Sequence, residues 1–183
     1  ASCLVGSEMC IRDRVYLSDN NGFLYEANPD TLEFKVLEKP SFIKGEFAFW
    51  DSATGDNGWV YFGASRPRGG KVVGYNHNTG EWKDLGVVYP NAQYVRSLSY
   101  DNGKIYAGTG SGEFTETFEI DAKDPSKKTK LPKQNLKTDV NDPGNSYMLT
   151  AHDGYLYIGF AGSNTGGQYV CLLYTSDAAD EED

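Results

Sequence analysis

Three arginines and a set of aromatics are the residues of this chain best equipped for chemistry, and the chemistry they suit is binding. Arg66 and Arg68, in Ser65-Arg-Pro-Arg-Gly-Gly70, and Arg96 carry planar guanidinium forks that can grip a carboxylate or sulfate through paired hydrogen bonds. Arg66 and Arg68 equally suit a solvated loop. Trp50, Tyr94 and Tyr147 offer flat rings on which a sugar can stack, and the same rings also suit packing between structural units. Glu46-Phe47, Gln93-Tyr94 and Ser146-Tyr147 each place a polar residue before an aromatic and read as matching positions. Arg96 then corresponds to Phe49 and Leu149, so a charge stands where the other copies are apolar. It either faces a channel or pairs with a carboxylate. The candidate ligand-binding set is therefore Trp50, Arg66, Arg68, Tyr94, Arg96 and Tyr147.

No catalytic residue is identified. Asp51-Ser-Ala-Thr-Gly-Asp56-Asn57-Gly58 has oxygen ligands of the kind calcium takes, but not the spacing of a calcium-binding loop, and it also reads as a long turn. His77 and His152 are the only histidines; both fall in turns, with no neighbour at metal-ligand spacing and no nucleophile beside them. The glycine-rich stretches Ser111–Glu113 and Gly162–Gly167 precede no helix, so they are not phosphate loops. Neither a metal nor a cofactor is expected.

The elements that must position these side chains are copies of one unit. Phe47–Ser65, Val95–Ser111 and Tyr147–Ser163 share Gly, any residue, an aliphatic, Tyr, any residue, Gly: Gly58/Val60/Tyr61/Gly63, Gly103/Ile105/Tyr106/Gly108 and Gly154/Leu156/Tyr157/Gly159. An incomplete copy opens the series at Val15-Tyr16-Leu17-Ser18, so the tyrosines are spaced by 45, 45 and 51 residues. A second half repeats 48 residues apart: Thr31, Glu33, Phe34 and Leu37 against Thr79, Glu81, Trp82 and Leu85. Alternating β-branched and aromatic residues between Gly, Asn, Asp and Pro turns call for strands. A period near 45 made only of short strands marks propeller blades. The expected fold is all-β: a β-propeller fragment of about three and a third four-stranded antiparallel blades, its ring not closed. The blade parts are about 15–44, 45–91, 92–137 and 145–170. The outermost blades are expected to expose faces made for neighbours. Lys127-Lys128-Thr129-Lys130, with Lys133 and Lys137, reads as a solvated outer strand that discourages edge pairing.

The two ends read differently from the rest. Leu4–Arg14 (LVGSEMCIRDR) and Cys171–Glu181 (CLLYTSDAADE) resemble translated sequencing-adapter read-through, in inverted copies. Residues 1–14 and 171–183 are therefore set aside from the fold expectation. All three cysteines lie there, so the body offers no disulfide framework or thiolate metal site. The net charge of −9 resolves into 0 for 1–14, −5 for 171–183 and −4 for the body. That balance argues against nucleic acid as a partner. No apolar stretch is long enough for a membrane-spanning helix.

Tyr75-Asn-His-Asn-Thr-Gly-Glu-Trp82 resembles the tyrosine-to-tryptophan element of kelch blades. The Gly-Gly doublet of strict kelch is here Gly63-Ala64, Gly108-Thr109 and Gly159-Phe160, so the closer resemblance is to kelch-like or quinoprotein-like bacterial propellers. This resemblance implies a secreted or extracytoplasmic setting and a link to polysaccharide use. Two functions follow as expectations. One is a binding or scaffold propeller that engages a glycan or protein on its loop face, its ring completed by further blades of the same parent chain. The other is part of a propeller lyase or hydrolase whose catalytic residues lie partly elsewhere. Fold alone does not choose between them.

Overall fold

The computed structural model describes residues 9–11, 14–19, 23–43, 48–65, 69–110, 115–132, 145–162 and 166–173. Every regular element among them is a β-strand, and every strand pair is antiparallel. The first blade is β1 (Met9–Ile11), β2 (Arg14–Ser18), β3 (Leu24–Ala27) and β4 (Phe34–Leu37). The second is β5 (Ala48–Thr54), β6 (Trp59–Ser65), β7 (Gly70–Asn76) and β8 (Trp82–Tyr89). The third is β9 (Tyr94–Asp101), β10 (Lys104–Gly110), β11 (Thr117–Asp121) and β12 (Lys128–Lys130). The fourth is β13 (Asn145–His152), β14 (Tyr155–Gly162) and β15 (Gly166–Leu173). One residue pair, Ser65 with Tyr94, joins the second and third blades edge to edge.

Three strands reach into the set-aside ends, β2 by Arg14 alone. β1 pairs Met9 with Tyr16 and Cys10 with Val15, and β15 continues past Val170 to Leu173. The first blade thus has four strands, where the sequence pattern from Val15 to Leu37 offers only the last three. A short extended segment satisfies the open N–H and C=O row of β2 whatever its side chains, so sequence pattern alone does not announce it.

Turn chemistry fixes the blades. Asn57-Gly58, Asn102-Gly103 and Asp153-Gly154 all hold positive φ, as the tightest hairpin turns require. At the outer turn, Asn76 Oδ1 accepts the N–H groups of Asn78 (3.0 Å) and Thr79 (3.2 Å). Asn28 accepts those of Asp30 and Thr31 in the same way, and Asp121 those of Lys123 and Asp124. An Asn or Asp at that place closes the loop with its own side chain.

The core lies between blades. β-strand alternation sends Val60, Phe62, Val73 and Tyr75 to the first blade, where they bury Tyr16, Leu24 and Leu37. Tyr61 and Val72, one residue out of step, face the third blade and pack with Val95, Leu98, Ile105 and Phe118. Tyr106 faces the fourth blade, with Leu149, Leu156 and Ile158. The second glycine of the motif makes room for this stacking. A Cβ on Gly63 would sit within 3.0 Å of Val95 in the next blade's first strand, and one on Gly108 would strike the Ser97 and Ser146 hydroxyls.

Candidate functional site

The first strands of the second, third and fourth blades each carry one extra residue. Pairing with the second strand slips between Phe49 and Asp51, between Val95 and Ser97, and between Ser146 and Met148. The bulged residues are Trp50, Arg96 and Tyr147. Gly63, Gly108 and Gly159 pair with Asp51, Ser97 and Met148, so the three bulges occupy one structural position in successive blades. A bulge locally re-aims a side chain and interrupts the regular alternation.

The three meet in space. The Arg96 guanidinium carbon lies 5.0 Å from the Trp50 ring centre and 4.4 Å from that of Tyr147. Trp50 in turn lies 5.3 Å from the Tyr94 ring, tilted by 39°. Four flat groups from three blades therefore form a row, Tyr94–Trp50–Arg96–Tyr147. Trp50 is 39% exposed and Tyr147 50% exposed, while Tyr94 and Arg96 are half-buried. Among the described residues no carboxylate stands within ion-pair distance of Arg96. Its contacts with the rings are cation–π contacts, which engage ring faces and leave in-plane N–H donors for another acceptor.

Buried and part-buried polar contacts on the same first strands link the blades. Asp51 Oδ2 accepts the Leu98 N–H at 2.7 Å, and its Oδ1 accepts that of Ser52 at 2.9 Å. Burial pushes the Asp51 carboxyl above its ordinary value, while those two N–H groups and the nearby Arg96 charge pull it down. Between the next two blades, Ser97 Oγ donates to Ser146 O at 2.9 Å and Ser99 Oγ accepts the Ala151 N–H at 2.8 Å. These bonds hold neighbouring first strands, and so the bulges they carry, at fixed separation.

The sequence expectations divide accordingly. Trp50, Tyr94, Arg96 and Tyr147 come together; Arg66 and Arg68, with Glu46 and Phe47, lie outside the described residues. Tyr94 and Tyr147 are not equivalent positions as expected. Tyr94 pairs with Gly110 ahead of its bulge, whereas Tyr147 is the bulge, and Arg96 corresponds to it and to Trp50, not to Phe49 and Leu149. Asp51 and Asp56 are separately engaged: Asp56 accepts the Tyr100 hydroxyl at 2.6 Å, and burial together with that bond pushes the phenol up to about 12. His152 sits 72% exposed beside Asp153 in its turn. Lys128, on the exposed outer strand, reaches the second blade and donates to Val87 O at 2.7 Å. A groove of about 200 Å³ between the second and third blades is lined by Asp56, Trp59, Lys83 and Tyr100. Its polar groups already serve the fold, since Lys83 donates to Ala122 O at 2.8 Å.

No protein-family model and no curated protein matches the chain. Solved structures do resemble it. A chain of a nidogen/laminin complex superposes with a TM-score of 0.68 at 15% identity, covering 90% of this chain and 57% of that one. BamB from Moraxella catarrhalis gives 0.56 at 19% identity, covering 91% and 42%. The extracellular domain of BT4673 from B. thetaiotaomicron gives 0.58 at 18% identity, covering 87% and 20%. At these identities the likeness concerns the fold: the chain is a β-propeller, and it spans little more than half, or less, of the length of these three neighbours. No helix among the described residues is long and apolar enough to cross a membrane.

Proposed function

We propose that the chain is the binding or scaffold part of a β-propeller, belonging to a secreted bacterial protein, which takes a glycan or a protein partner on the face where its bulges converge. One observation carries this reading: three bulge residues at a single structural position, Trp50, Arg96 and Tyr147, meet across three blades and keep their rings exposed. Packing alone does not require exposed rings, and ligand sites favour irregular backbone mounted on a rigid frame. Arg66 and Arg68 are proposed for the same site, since in sequence they follow Ser65, the residue paired with Tyr94. Further blades of the same parent chain are its proposed structural partners. That proposal is supported by Tyr155 and Tyr157 standing 43% and 44% exposed on the fourth blade, and Phe34 and Val36 65% and 54% exposed on the first.

Glycan-array binding of the chain and its variants tests the reading. Arg96→Ala and Trp50→Ala are each expected to weaken binding by about tenfold or more, the loss for a truncated interface anchor. Lys127→Ala, on the solvated outer edge, is expected to leave it unchanged. Equal effects of all three variants would place the ligand elsewhere.

A further inference from the structure

We infer that the row Tyr94–Trp50–Arg96–Tyr147 selects an acidic glycan, one whose sugar carries a carboxylate or a sulfate ester. The inference rests on the binding reading above and names the ligand class of that same site. Arg96 supplies the selectivity. Its guanidinium lies between aromatic residues of the blades on either side, at 5.0 Å from Trp50 and 4.4 Å from Tyr147. Those contacts hold the side chain in place without consuming its hydrogen-bonding edge, so a planar oxyanion can meet two parallel N–H donors. Among the described residues, Asp51 senses the Arg96 charge but is turned to the Leu98 and Ser52 N–H groups. It therefore leaves the fork open to a charge from outside.

The neighbouring rings choose a glycan over an acidic peptide. The row is a run of flat surfaces crossing three blades, and the half-exposed Tyr147 and 39%-exposed Trp50 flank the cation on both sides. A pyranose presents a flat apolar C–H face and carries its carboxylate or sulfate at the ring's edge. A ring laid on Tyr147 or Trp50 thus directs that group to Arg96, whereas an extended peptide offers no matching series of flat faces.

Isothermal titration of the 183-residue chain with four probes tests this: oligogalacturonate, the neutral galacto-oligosaccharide of equal length, a sulfated galacto-oligosaccharide, and an oligoglutamate peptide. Oligogalacturonate or the sulfated oligosaccharide is expected to bind at least about tenfold tighter than the neutral one, the worth of a charge-assisted pair of hydrogen bonds. Which of the two binds tighter tells carboxylate from sulfate. Arg96→Ala should abolish the preference, and Arg96→Lys, which keeps the charge but not the fork, should reduce it. Equal binding of acidic and neutral sugars overturns the inference and spares the binding site. Oligoglutamate binding as tightly as the sugars overturns the glycan class. Absence of binding by all four probes, in folded protein, overturns the inference and leaves the binding reading to its own glycan-array test.

Discussion

The second and fourth blades carry the same motif, and their tyrosines meet opposite fates. Tyr61 is 4% exposed, stacked within 9° of Trp59 and within 20° of Tyr100 from the following blade. Tyr157 is 44% exposed and tilted at 42° to Tyr155. The local sequence is nearly interchangeable: Trp-Val-Tyr-Phe-Gly in one, Tyr-Leu-Tyr-Ile-Gly in the other. Burial in this fold is thus conferred by the next blade and not by the strand that bears the residue. A repeat protein distributes its stability over such interfaces, and its outermost faces contribute least.

The largest test of that contrast truncates both rings. Tyr61→Ala should cost about 3–5 kcal/mol, as removal of a buried aromatic does, whereas Tyr157→Ala should cost about 0.5 kcal/mol or less. Urea unfolding of the two variants measures both, and comparable losses would break the contrast. Gly108→Ala comes next. Its new methyl would press on Ser97 and Ser146 at the seam of the third and fourth blades, so a loss of about 1–3 kcal/mol is expected. Unfolding of the fourth blade ahead of the rest, followed by hydrogen exchange, would sharpen the picture further.

Asp51 lies at the inner seam and gives a pH signature. Asp51→Ala should cost about 1–3 kcal/mol by stranding the Leu98 N–H, and Asp51→Asn, which keeps an acceptor, should cost less. Because burial raises the folded carboxyl above its ordinary 3.8, the folded chain takes up this proton before the unfolded chain as pH falls. The group's contribution to stability therefore grows on the acid side and is lost as pH rises through the raised value. Asp51→Asn should remove that slope from a urea-unfolding series across the acid range; an unchanged slope would assign it to other groups. A smaller effect than at Asp51 is expected at the first blade's outer turn. Leu32 holds φ of 59° where its counterpart Gly80 holds 74°, and it is 72% exposed. Leu32→Gly should stabilise the chain by about 0.5–1 kcal/mol, relieving a left-handed residue at no packing cost. A thermal midpoint that falls instead would show that Leu32 has a partner.

Much of this was legible in the residues. The motif's tyrosines land in the second strand of every blade, and the Asn-Gly and Asp-Gly turns occur where the pattern places them, because both depend on local chemistry. The candidate site was only half legible. Trp50, Tyr94, Arg96 and Tyr147 stand out by type, but equating Tyr94 with Tyr147 ignored the bulges, and a bulge shifts alignment by one residue without leaving a composition signal. A usable signal was present. Arg96 and Tyr147 each stand seven residues before their turn glycine and Trp50 eight before its own, so counting back from the turn aligns them within the one-residue difference in turn length. The reach of β1 and β15 into the chain's end segments was not legible, since backbone pairing at an open edge is indifferent to sequence.

Hydroxyl-radical footprinting of the four motif tyrosines in the dilute chain probes the blade stack most directly. Modification should concentrate on Tyr157 while Tyr16, Tyr61 and Tyr106, at 1%, 4% and 0% exposure, stay protected. Equal modification of all four, in a chain that remains folded, would mean that successive blades do not cover one another.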